Sequence, residues 1–184
     1  ETSILRLIQA LFNATPGAIY FKALNAEMIA GLSFADLAQS IVNSTSFFIG
    51  NNKYDPFTLG FGQGFVDWSS VIESMTGNHI STANKDWVIY YLNSRDDISQ
   101  YQLFTEISET LSSIAFSDPE WGKAAFFYHS KNAQKIVNNL LSDTISAIDK
   151  ASIVDYMLAQ IDSGKSMGEM IEWAITSLDS IDHS

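Results

Sequence analysis

Apolar positions along this chain recur mostly at helical spacing. Ile4, Leu5, Ile8, Leu11 and Phe12 follow an i, i+3/i+4, i+7 pattern, with Thr2 or Ser3 placed to cap it. Thr15 followed by Pro16 reads as a cap and a first-turn proline, opening a second helix through Ile19, Tyr20, Ala23, Leu24 and Met28 that stops at Gly31. The same spacing predicts helices near 65–76, 83–94, 99–114, 118–130, 132–147, 150–162 and 167–181. No segment alternates apolar and polar residues long enough to make a strand. The pattern predicts an all-α chain.

One stretch departs from it. Residues 48–64 hold Gly50-Asn51-Asn52-Lys53-Tyr54-Asp55-Pro56-Phe57-Thr58-Leu59-Gly60-Phe61-Gly62-Gln63-Gly64, without a helical stripe. Three aromatic rings are too many for a solvated linker. The expectation is an ordered irregular loop anchored by Phe57, Phe61 and Phe65.

Helix caps carry a second periodicity. Ser33, Ser99 and Ser166 lie 66 and 67 residues apart, and each precedes an acidic or amide residue three positions on (Asp36, Gln102, Glu169). In that arrangement the hydroxyl accepts from an orphan backbone N–H, and the later side chain reaches back to the serine N–H. Leu37, Leu103 and Met170 follow at one offset, and Ile41, Ile107 and Ala174 at the next turn. Two further helices precede each serine. The chain therefore reads as a single helical domain over 1–184. It would be built from three degenerate copies of about three helices each, near 1–47, 65–114 and 134–182, with the irregular loop between the first two. Such an array needs no active site, which favours binding or assembly.

Two phrases carry a family resemblance: Asp155 through Ser166, reading DYMLAQIDSGKS, and Trp87 through Ser94, reading WVIYYLNS. They resemble the Tyr/Trp–three–Leu–x–Ser–Gly–x–Ser phrase of helical domain-of-unknown-function repeats found in bacterial surface-layer and RTX-type exported proteins. Phe21 to Leu37, with Asn43-Ser44-Thr45-Ser46-Phe47, is similar to the same unit and its closing phrase. The family's Gly-Arg-x-Pro-Asp turn is absent, Thr15-Pro16-Gly17 being its nearest counterpart. The resemblance implies a non-enzymatic, exported, extracellular or cell-surface module used in attachment, assembly or adhesion. Surface polysaccharide or further copies of the same protein would be its partners. It brings no catalytic residues with it.

Composition narrows the chemistry. The 184 residues include 21 acidic against 10 basic side chains, for a net charge of −11, and no cysteine. That excludes thiol catalysis, zinc–thiolate sites and disulfides, and offers no electrostatic footprint for nucleic acid. No run of 18 apolar residues predicts membrane insertion, and the opening at Glu1 reads as a piece of something longer. His79, His129 and His183 have no ligand-like neighbours, and no Gly-x-Ser-x-Gly elbow or phosphate loop is present. The Asp118/Glu120 pair reads as first-turn acids. Catalytic and metal residues are therefore expected to be none. Cofactors are also expected to be none, with calcium at Asn51, Asn52, Asp55 and Asp67 the weaker alternative. A small-ligand or carbohydrate site is expected at the loop, where Tyr54 and Trp68 would shape a surface edged by Asn51, Asn52 and Asp55. Sugars are held by stacking on rings and hydrogen bonds at the rim. The alternative, that these rings are core with a polar edge, stays open. Trp87 and Trp173 are expected in the core.

Overall fold

A computed structural model describes residues 2–13, 18–52 and 55–182. Among them are eleven helices and no strand: α1 Thr2–Phe12, α2 Ala18–Ile29, α3 Phe34–Val42, α4 Thr45–Gly50, α5 Pro56–Leu59, α6 Trp68–Thr76, α7 Thr82–Ser94, α8 Gln100–Ser113, α9 Gly122–Leu140, α10 Ala147–Asp162 and α11 Met167–Asp182. The all-α expectation holds. The chain divides into two compact units, Glu1–Val42 with Lys131–Ser184, and Asn43–Ser130. The second is thus inserted between the two halves of the first.

All three spaced serines cap helices. Ser33 Oγ accepts from Asp36 N at 3.1 Å, ahead of α3. Ser99 forms a full capping box with Gln102 ahead of α8, and Ser166 does so with Glu169 ahead of α11, where both reciprocal bonds are 3.0 Å. Ser146 caps α10 by accepting from Asp149 N at 3.1 Å, a start that apolar spacing alone does not mark.

In the first unit α1 buries Ile4, Leu7, Ile8 and Leu11 while Leu5 is exposed, so the stripe runs one residue away from where Leu5 would put it. Helices α3 and α11 make the closest approach. A Cβ on Gly168 would stand 2.0 Å from the Ala35 carbonyl oxygen, and Gly168 N donates to Gln39 Oε1 at 2.9 Å. Only a residue without a side chain lets these backbones meet.

Residues 118–130 and 132–147, expected as two helices, are replaced by the single helix α9 followed by a turn. Its buried positions Ala124, Ala125, Tyr128, His129, Asn132, Ala133, Ile136 and Val137 form one unbroken stripe. The polar Ser130-Lys131 pair sits off that stripe and does not interrupt it.

The core of the second unit gathers on Phe61, which meets Trp68 edge-on at 5.9 Å, Phe104 at 6.0 Å and stacks with Tyr101 at 5.9 Å. Of the three expected anchors only Phe61 is inside; Phe57 and Phe65 are 74% and 69% exposed. Backbone geometry explains the difference. Gly60, Gly62 and Gly64 have φ of 79°, 81° and 78°, and a Cβ on Gly60 would lie 1.8 Å from the Phe65 carbonyl oxygen. The chain folds back on itself so tightly that it points one ring inward and turns its neighbours out.

Candidate functional site

Four of the residues expected at the loop site, Asn51, Asn52, Asp55 and Trp68, each take part in holding the fold. Asn51 and Asn52 donate their side-chain amides to the carbonyls of Phe47 and Phe48, the former at 3.1 Å, closing the end of α4. Asp55 Oδ1 accepts from Phe57 N at 2.9 Å at the start of α5, and Asp67 caps α6 by accepting from Ser70 N and Oγ. The two asparagine amides and the two aspartate carboxylates thus all serve helix ends. Trp68 is 4% exposed, so its ring belongs to the core and does not shape a surface. Tyr54 lies outside the described residues. Among the described residues no group of three or more His, Asp or Glu side chains is arranged to hold a metal.

Of the histidines, His79 and His129 have separate aromatic surroundings. His79 packs its ring on Phe127 with centroids 5.6 Å apart. His129 is enclosed between Phe116 and Tyr128, and neither ring nitrogen finds a hydrogen-bond partner. Burial pushes its pKa down to about 4; the Ser112 backbone works the other way, but its approach falls short of hydrogen-bond geometry. His183 lies outside the described residues. Asp118 Oδ1 accepts from Glu120 N and Trp121 N at 2.9 and 2.8 Å, a turn-forming role, while Glu120 accepts from Asn84 at 3.3 Å.

A cavity of about 500 Å³ opens instead between α7 and α8 in the second unit. One wall is Trp87, Val88, Tyr91 and Leu92 from α7; the other is Glu106, Ile107, Thr110 and Leu111 from α8. Each set falls at i, i+1, i+4, i+5, so both helices turn the same kind of face to the gap. Ile72 and Thr76 of α6 form the floor, and Ile114 and Trp121 close one end. The buried Leu92 and Leu111 tie the cavity to the core, while Val88, Tyr91, Ile107 and Ile114 are only half-buried against it. Polar atoms are few, and two of them are already engaged: Thr76 and Thr110 hydroxyls donate to Ile72 O and Glu106 O at 2.7 Å each.

The α7 wall is held in place by a ladder of side chains. Trp87 and Tyr91 stack at 5.7 Å with ring planes 10° apart, and the Arg95 guanidinium covers the Tyr91 ring at 5.3 Å. Arg95 is fixed in turn by Asp97, through bonds of 2.6 and 2.9 Å, by the Tyr91 hydroxyl, and by Glu106 at 3.5 Å. The Asp97 hydrogen bonds hold Arg95 above its ordinary pKa, and Arg95 holds Asp97 below its own. Glu106 thus reaches the cavity edge with part of its charge met.

Contrary to the expectation that it is core, Trp87 is 64% exposed. Trp173 of α11 is also exposed, and packs against Tyr156 of α10 at 4.7 Å. Sequence reasoning places both tryptophans inside because they lie in repeat helices, and so misses the cavity. The only signal for it was the pairing of Trp87 with Tyr91 one turn on, followed by Arg95 one turn further. Among the described residues no helix is long and apolar enough to cross a membrane. Compared with protein-family models, curated proteins and solved structures, the chain matches none.

Proposed function

We propose that this chain is a non-catalytic helical binding module whose α7–α8 cavity takes a small, uncharged, mostly apolar ligand. The observation that carries this reading is the cavity itself: about 500 Å³ of apolar space beneath a braced aromatic wall. Cores normally close such space, because unfilled volume forfeits packing. A volume of that size with few polar groups matches the usual small-molecule site. Glu106 at the edge disfavours anions. The non-catalytic part of the reading is supported by the separate, aromatic surroundings of His79 and His129.

Two wider elements belong to the same reading. The three-copy organisation is supported by the equivalent caps at Ser33, Ser99 and Ser166. The exported, cell-surface setting, with attachment or assembly as its use and polysaccharide or further copies of the chain as partners, is supported by the sequence resemblance alone.

The test is a fluorescence titration with N-phenyl-1-naphthylamine, an uncharged probe of about 17 non-hydrogen atoms. At roughly 0.3 kcal/mol per atom it gains about 5 kcal/mol, a Kd of roughly 0.2 mM or tighter. Ile107→Phe, which fills the cavity, should abolish the signal. No enhancement with the wild type, or equal enhancement with Ile107→Phe, contradicts the reading.

A further inference from the structure

The first unit carries an open groove of about 840 Å³ between α10 and α11, different in chemistry from the α7–α8 cavity. Tyr156 and Trp173 meet across it with ring planes tilted by 41°, and both rings are exposed. Around them stand Gln160, Lys165, Glu172 and Thr176. Among the described residues none of these four side chains makes a hydrogen bond or ion pair, so their polar groups face water. Glu169 is also on the rim, but its carboxylate accepts from Ser166 N at 3.0 Å to complete a helix cap.

The mixture of groups discriminates between ligand classes. An ammonium ligand wants acceptors and rings; Glu172 offers one, yet the Lys165 ammonium on the same rim opposes it and Glu169 is engaged. An anion wants donors, yet Glu172 and Glu169 oppose it. A sugar hydroxyl is both donor and acceptor, and pairs with a lysine, an amide, a threonine or a carboxylate alike. The apolar C–H face of a pyranose matches a ring exposed at the edge of a polar groove, where the aromatic body is dry on one side and wet at its rim. We propose that the α10–α11 groove is a carbohydrate-binding site, with Trp173 and Tyr156 as its stacking surface and Gln160, Lys165 and Thr176 as its hydrogen-bonding rim. It stands apart from the apolar-ligand reading of the second unit, and either can fail without the other.

Isothermal titration of the whole chain with cellotriose, chitotriose and maltotriose tests it. At least one trisaccharide should bind, and its affinity should fall about tenfold in Trp173→Ala, the equivalent of one lost aromatic contact. Trp87→Ala should leave that affinity within about twofold, because it alters only the other unit. Thr176→Val, an exposed change that keeps the side-chain shape, should weaken binding too; this variant decides if Trp173→Ala does not fold. The proposal is overturned if none of the three sugars binds or if Thr176→Val binds as the wild type does. It is equally overturned if tetramethylammonium displaces the sugar, which would make the groove a cation site.

Discussion

Replacing His129 by phenylalanine should remove a specific part of the chain's acid sensitivity. The imidazole is 2% exposed, wedged between Phe116 and Tyr128, with both nitrogens unpartnered. It is therefore buried neutral, with a pKa of about 4 in the folded state against 6.5 as its ordinary value. Between those two values the unfolded chain binds more protons than the folded one, so stability falls as the pH drops below 6.5. The loss approaches about 1.4 kcal/mol per pH unit and levels off below about 4. From pH 7 to pH 4.5 the histidine alone accounts for about 2.4 kcal/mol. Urea unfolding of wild type and His129→Phe at both pH values, followed by circular dichroism, isolates that amount as a difference of differences. Carboxylates that titrate in the same range cancel between the two proteins. Any overpacking by the phenyl ring shifts the variant equally at both pH values. If the wild type loses no more stability than the variant on acidification, His129 is not buried neutral and the packing described around it is wrong.

Three further outcomes follow from the packing. Gly168→Ala should destabilise the first unit by about 1–3 kcal/mol in urea denaturation, since its Cβ meets the Ala35 carbonyl at 2.0 Å; no change would mean that α3 and α11 do not approach so closely. Phe61→Ala should cost about 3–5 kcal/mol, while Phe65→Ala should stay within about 0.5 kcal/mol, and equal effects would refute the inward and outward assignment of the loop rings. Ser99→Ala should cost about 1 kcal/mol through loss of the α8 capping box, read as a lowered midpoint in the same unfolding assay; an unchanged midpoint would contradict it.

Helix existence was legible because it rests on local facts. Ser99, Gln102 and Leu103 mark the start of α8 without help from the rest of the chain. Failures came where tertiary packing decided. Apolar spacing divides 118–130 from 132–147, yet His129 and Asn132 are buried polar residues that carry the stripe of α9 across the boundary. In the glycine loop the composition marked order but not direction. Which of Phe57, Phe61 and Phe65 turns inward depends on three alternating left-handed glycines, Gly60, Gly62 and Gly64, a backbone path that no side-chain pattern encodes. Trp68 looked like a surface ring because it borders the loop, but it opens α6 and faces Phe61. Trp87 reads as core because it lies in a repeat helix, but it stacks along that helix on Tyr91 and leaves the space beside α8 unfilled. A site made from the incomplete closure of two helices has no motif of its own.

Methyl chemical-shift mapping with N-phenyl-1-naphthylamine tests the central claim most directly. On ¹³C-methyl-labelled protein, the largest probe-induced shifts are expected at Ile72, Val88, Leu92, Ile107, Leu111 and Ile114, which line the cavity. The methyls of Ile8, Leu37 and Ile171 in the first unit should stay unmoved. Shifts concentrated anywhere else, or no saturable shifts at all, would contradict the assignment of the α7–α8 cavity as the binding site.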